Sequence, residues 1–122
     1  MGFTKIVIVD NLANSSTKVL ERIDEITKKG HMVVFEELDL REEEKLDNIF
    51  AKHGPFASVI HFAGLKAVGE SCEKPLSYYD NNVIGTIALL KVMAKHGTEN
   101  IVFSSSATLY GDSAVNAETN KI

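Results

Sequence analysis

The apolar positions along this chain change period several times, and each change marks an element. Residues 5–9 carry an unbroken apolar run (Ile6, Val7, Ile8, Val9) that stops at Asp10, the mark of a strand covered on both faces. A polar loop follows over 11–16, with Ser15 or Ser16 placed to cap a helix reaching Lys29. Val19, Leu20, Ile23 and Ile26 share one face of that helix, and Gly30 suits the position after its end. Residues 32–35 read as a second strand with a polar exit over 36–40. Residues 42–53 read as a second helix, acidic in its first turn and apolar at Leu46, Ile49 and Phe50. Gly54-Pro55 punctuates the chain before a third strand over 57–62, short, apolar and β-branched. Pro75 suits the first turn of a long helix ending near His96-Gly97. In that helix Leu76, Tyr79, Val83, Ile87, Leu90 and Met93 step at helical spacing and are expected to form the buried stripe. Gly85 within it costs up to ~1 kcal/mol against Ala, which predicts a close approach to the sheet or to a ligand. Residues 100–104 form the last strand.

Strands and helices in strict alternation predict an α/β fold with a right-handed parallel sheet. The 122 residues make one domain at most, with residues 1–111 as its body and 112–122 as a polar tail without periodicity, expected to be loosely ordered. A composition of 44% hydrophobic and 25% charged residues excludes a disordered tail. No apolar run approaches the ~20 residues of a membrane span, and nothing before Lys5 reads as a signal peptide, so no membrane partner is expected. The net charge of −4 argues against a nucleic-acid partner. The single cysteine, Cys72, has no internal disulfide partner, which fits a cytoplasmic location. The Glu42-Glu43-Glu44 run reads as a helix-dipole partner on a solvated face, and no metal site is expected there.

Candidate chemistry lies where strands end. At Ala63-Gly64 the side chains shrink to almost nothing, so a flat ligand can lie against bare backbone at the carboxyl end of a strand, where open α/β sheets bind ligands. The same pair equally suits a tight turn. Asp10, at the end of its strand, can accept both hydroxyls of an adenine ribose and would repel a 2′-phosphate, or it can simply terminate the strand. The run Ser104-Ser105-Ser106 offers hydroxyls that both donate and accept, and is also a common turn former.

The wording around these residues narrows the choice. His61-Phe62-Ala63-Gly64-Leu65-Lys66-Ala67-Val68-Gly69-Glu70-Ser71 resembles the signature loop of the UDP-galactose (UDP-glucose) 4-epimerases, NAD-dependent members of the extended short-chain dehydrogenase/reductase superfamily. The resemblance extends through Lys74-Pro75-Leu76, Tyr78-Tyr79-Asp80-Asn81-Asn82-Val83, Gly85-Thr86 and Phe103-Ser104-Ser105-Ser106-Ala107-Thr108-Leu109-Tyr110-Gly111, and begins at Val9-Asp10-Asn11-Leu12 with Asn14-Ser15. It implies a Rossmann-like parallel sheet, NAD as cofactor, a UDP-sugar as substrate and a homodimer as the family's assembly. By this resemblance Asp10, Asn11, Asn14 and Ser15 belong to the adenosine end of NAD, and Asp39 and Leu40 flank the adenine. Phe62, Ala63, Gly64 and Lys66 line the pyrophosphate and nicotinamide ribose, Asn81 faces the cofactor, and Ser106 matches the active-site serine. The family interconverts UDP-glucose and UDP-galactose by passing a hydride to NAD and back to the other face of a 4-keto sugar, a tyrosine carrying the proton.

The chain departs from that family in two places. No Gly-x-x-Gly-x-x-Gly turn is present, and none of Tyr78, Tyr79 and Tyr110 has a lysine four residues later. The resemblance is therefore to the interior of an epimerase, without the first strand, its glycine-rich turn, the Tyr-x-x-x-Lys pair or the carboxyl-terminal domain. Catalysis by this chain alone is not expected, and NAD affinity is expected to be weak or absent. A non-catalytic α/β module and a nucleotide-sugar dehydratase of the same superfamily are the alternative readings. In the fold's strand order the missing strand lies between the one ending at Asp10 and the one over 57–62. These two are expected to pair directly, since buried unpaired amides each cost ~1–3 kcal/mol. Ser106 is expected to matter more than Ser104, provided the chain bends after its last strand.

Overall fold

The computed structural model describes residues 5–27 and 32–106. Strand β1 (Lys5–Asp10) leads to helix α1 (Lys18–Thr27), strand β2 (Met32–Glu37) to helix α2 (Glu43–His53), and strand β3 (Val59–His61) to a broken helical stretch. That stretch comprises α3 (Val68–Glu73), α4 (Pro75–Tyr78), a π-helical turn (Tyr79–Ile84) and α5 (Gly85–Lys95), and strand β4 (Ile101–Phe103) follows. Residues 28–31 and 107–122, with the expected helix end at Gly30 and the polar tail 112–122, lie outside the described residues.

Each element forms for a local reason. Ser16 Oγ accepts the Lys18 amide (3.2 Å) and so caps α1. Helix α2 carries Glu43 and Glu44 in its first turn and Lys52 and His53 in its last, the charge order its dipole favours. Pro75 opens α4 at a position that needs no amide hydrogen. Gly97 adopts a φ of 67° after α5, and the Thr98 amide returns to the Met93 carbonyl (2.9 Å), a left-handed closure that glycine tolerates best.

The sheet is split. β1 pairs with β2 in parallel, from Lys5 opposite Met32 to Asp10 opposite Glu37, and β3 pairs with β4 in parallel, from Val59 opposite Ile101 to His61 opposite Phe103. These are separate two-stranded sheets. Helices α2 and α5 pack together over one core of Leu38, Leu46, Ile49, Phe50, Leu89, Val92 and Met93, with Val7 and Val9 of β1 and Val59 of β3 against it. Both helices thus cover the same face. Right-handed crossovers on a common face carry β2, β3 and β4 in one direction across the layer, and Val7 and Val9 of β1 meet the same core as Val59 of β3.

Two expectations are corrected here. The direct pairing of the strands ending at Asp10 and at His61 does not occur. Both are seated on the α2–α5 layer, and closing to the ~4.8 Å of a ladder would pull one of them off it. The penalty that favoured pairing is also relieved, because the far face is open to water, with Ile60 60% and Val102 59% exposed. The buried stripe of the long helix is the second correction. Leu76, Tyr79, Val83, Ile87 and Leu90 are exposed, and of the six expected residues only Met93 is buried. The inward face is Gly85, Ala88, Leu89, Val92 and Met93. The large apolar residues at that spacing stay on one exposed row, and Gly85 and Ala88 let the opposite face approach closely while Leu89, Val92 and Met93 fill the core. A Cβ on Gly85 would lie 3.6 Å from Leu40 Cβ and 3.8 Å from Arg41 Cγ.

Candidate cofactor site at the carboxyl ends of the strands

The exits of β1, β2 and β3 lie on the same end of the parallel sheets and carry most of the candidate residues. Asp10 ends β1, and its Oδ1 accepts the Leu12 amide (2.7 Å) and the Ser15 hydroxyl (2.8 Å). These bonds curl the loop back on the carboxylate and hold Leu12 at a φ of 55°. Asn11 Oδ1 accepts the Ala13 amide (3.1 Å), while its Nδ2 donates to Asp39 Oδ2 (2.9 Å), which joins the β1 exit to the β2 exit. Asn14 is exposed on the same loop.

Asp39 is the most heavily engaged carboxylate. Its Oδ1 accepts the Arg41 amide (3.0 Å) and Nε (2.9 Å), and its Oδ2 accepts an Arg41 guanidinium nitrogen (2.8 Å) in addition to Asn11. The side-chain hydrogen bonds from Arg41 hold its carboxyl well below the usual carboxylate range, and Arg41 is held above its own by Asp39 and then Asp80. An adenine amine would therefore share an acceptor that is already in use. Leu40 packs its side chain against the core.

After β3, Phe62 and Ala63 are exposed, and Gly64 has a φ of +157°, a value L side chains rarely adopt. A Cβ there would also sit 3.5 Å from Asn82 Oδ1. Lys66 is exposed and has no hydrogen-bond or ion-pair partner among the described residues. Asn81 Nδ2 donates to Asn82 Oδ1 (2.8 Å). Ser106 is exposed. The Ser104 amide donates to the His61 carbonyl (3.1 Å), and the Ser105 amide then turns back to the Phe103 carbonyl (3.0 Å), so the chain bends after β4.

Residues that the sequence reading did not single out also take part. Arg41 also pairs with Asp80 on the π-helical turn, tying it to the β2 exit. Asn82 and Thr86 bond to Leu65 and His61 respectively. His61 is buried, and burial pushes its imidazole below the usual range. An arginine two residues after Asp39 and an Asn-Asn pair inside a helical pattern were the available signals.

Parallel strands with a carboxylate at one exit and bare backbone at another define the class of doubly wound nucleotide-binding proteins. The sequence model of the family described as GDP-mannose 4,6 dehydratase matches residues 2–121. The UDP-glucose 4-epimerase GEPI48 of Cyamopsis tetragonoloba is 56% identical over 112 residues, covering 91% of this chain and 32% of that relative. The UDP-glucose 4-epimerase of Bifidobacterium longum, solved in complex with NAD+ and UDP, matches with a TM-score of 0.81 and 51% identity over 88% of this chain and 31% of its own. The enzyme of Stenotrophomonas maltophila, solved with bound NAD and formylated UDP-arabinopyranose, gives a TM-score of 0.81 and 44% identity over 96% of this chain and 34% of its own. This chain belongs to the GDP-mannose 4,6 dehydratase family, in its UDP-glucose 4-epimerase branch, and has a Rossmann-type fold. It spans about a third of the length of these three relatives.

Proposed function

We propose that this chain forms part of a UDP-glucose 4-epimerase that interconverts UDP-glucose and UDP-galactose, a reaction of galactose metabolism, with NAD bound at the strand exits. The observation that carries this reading is the Asn11–Asp39 hydrogen bond, which makes one rim of the β1 and β2 exits. Asp10 and Asn11, with Asn14 and Ser15 on the same loop, would hold the adenosine end, and Asp39 and Leu40 would flank the adenine. Phe62, Ala63, Gly64 and Lys66, with Asn81, would line the rest of the cofactor. NAD, when bound, supplies the hydride acceptor and donor. Ser106 would hold the sugar 4-hydroxyl and its proton-transfer partner in one hydrogen-bonded line. Residues 1–111 would be the cofactor-binding portion. Because the chain holds no glycine-rich turn for the pyrophosphate, NAD affinity would be weak when the chain stands alone.

The exposed row Leu76, Tyr79, Val83, Ile87 and Leu90 supports a homodimer, in which a second copy would cover it. Among the described residues no helix is long and apolar enough to cross a membrane, and the absence of an internal disulfide supports a cytoplasmic location. The test is a chimera in which this chain replaces the matching third of the Bifidobacterium longum enzyme. UDP-galactose formation from UDP-glucose is expected, and Ser106→Ala should lower kcat by about 10²- to 10⁴-fold with a smaller change in KM. An inactive but folded chimera, or an unchanged kcat, would contradict the reading. The family description favours a nucleotide-sugar dehydratase as the second reading, and a product lacking one water would select it.

A further inference from the structure

The π-helical turn Tyr79–Ile84 interrupts a helical stretch beside the β3 exit, and its hydrogen bonds lead out of the helix. The Gly85 amide returns five residues to the Asp80 carbonyl, the wide ring of a π-turn. Such a turn swings successive side chains away from the α-helical phase. It points Asn82 at the loop after β3, where the amide side chain meets the backbone of one residue twice. Asn82 Oδ1 accepts the Leu65 amide (2.8 Å), and Asn82 Nδ2 donates to the Leu65 carbonyl (3.0 Å).

The clamp is itself braced. Thr86 Oγ donates to the Asn82 carbonyl (2.6 Å), which spends its only hydrogen. The contact between Thr86 Oγ and His61 Nε2 (2.9 Å) therefore runs from the imidazole to the hydroxyl, and the proton of the neutral His61 sits on Nε2. One line of bonds joins the last residue of β3 to Thr86, Asn82 and the loop backbone at Leu65. Asp80, two residues before Asn82, is gripped by Arg41, which also grips Asp39. The π-helical turn thus touches both exits.

We propose that Asn82 is the positioning residue of the loop between β3 and α3. It fixes the backbone of Leu65 between Gly64 and Lys66, so the π-helical turn sets where that loop stands. The loop's use in binding NAD rests on the function proposed above, whereas the clamp does not.

The experiment uses the 122-residue chain, labelled with ¹⁵N. Asn82→Ala should raise hydrogen exchange at the Leu65 amide by about 10- to 100-fold, the loss of a half-buried pair of hydrogen bonds. Exchange at the Leu89 and Val92 amides in the core should stay within about twofold. Equal acceleration at all three would reduce Asn82 to a general stabiliser and overturn the proposal, as would no change at Leu65. Asn82→Asp keeps the acceptor and replaces the donor by a carboxylate, so it serves where the alanine variant fails to fold. Its Leu65 amide proton should shift downfield and titrate with pH in the carboxylate range, and a Leu65 signal that ignores pH would overturn the proposal. With NAD added, shifts at Gly64 and Lys66 should shrink in Asn82→Ala while those at Asp10 and Asn11 persist. Where the unsubstituted chain shows no NAD shifts, as its missing glycine-rich turn allows, Leu65 exchange decides the clamp by itself.

Discussion

Leu89 and Leu90 are neighbours on α5 with opposite surroundings, 4% and 45% exposed. Replacing each by alanine tests which face of the helix the chain buries, because the helix-propensity change is the same at both sites. Leu89 lies in the cluster with Leu38, Leu46, Ile49, Phe50, Val92 and Met93. Truncation there leaves a cavity among packed neighbours and should cost roughly 2–5 kcal/mol. Leu90 has already left nearly half its surface in water, and full burial of a leucine is worth about 1.5–3 kcal/mol. Its loss should cost about 1 kcal/mol or less in the monomer. With a urea m-value of about 1–3 kcal/mol/M, Leu89→Ala should lower the unfolding midpoint by roughly 0.7–5 M, and Leu90→Ala by at most about half as much at the same m. Circular dichroism at micromolar concentration reads both, and at higher concentration Leu90→Ala should also weaken self-association. Equal losses in the dilute samples would refute the buried face described here.

Three further outcomes follow from the same geometry. Gly85→Ala should stabilise the chain by about 0.4–1 kcal/mol in thermal unfolding, because its helical backbone suits alanine and the nearest atoms stand at ordinary contact distance. Arg41 holds Asp39 ionised in the folded chain, so that stability is present above the unfolded Asp pKa of about 4 and is lost as pH falls below it. Arg41→Ala should cost about 0.2–1 kcal/mol at neutral pH, since Arg41 is 40% exposed, and should flatten the acid slope. His61 is buried with its pKa lowered, so the unfolded chain takes up its proton first and stability falls as pH drops through about 6.5. His61→Gln should remove that component of the pH dependence of the urea midpoint.

The elements themselves were legible because period reports burial. Unbroken Ile6–Val9 marked β1, and Leu46, Ile49 and Phe50 at helical spacing marked the inward face of α2. The long helix misled for a physical reason: its largest apolar residues form a face that nothing within the described chain covers. The division of the sheet was hidden because pairing depends on where α2 and α5 seat their strands, a tertiary term with no local signature. At the site, strand ends located Asp10, Ala63 and Gly64, and motif resemblance supplied most of the rest. Asn82 and Thr86 escaped because a polar residue in a helix reads as solvated until a loop is folded against it, and Arg41 because a charged residue in a strand-to-helix turn reads the same way.

The most direct test of the cofactor rim is an NMR shift map of the 122-residue chain titrated with NAD. The expected result is fast-exchange binding with a dissociation constant on the order of 1 mM, about −4 kcal/mol. Shifts should gather at Asp10, Asn11, Asn14, Ser15, Asp39, Leu40, Phe62 to Lys66 and Asn81, with α2 and the outer face of α5 silent. Shifts centred on α2 and α5 would contradict the assignment of NAD to the strand exits.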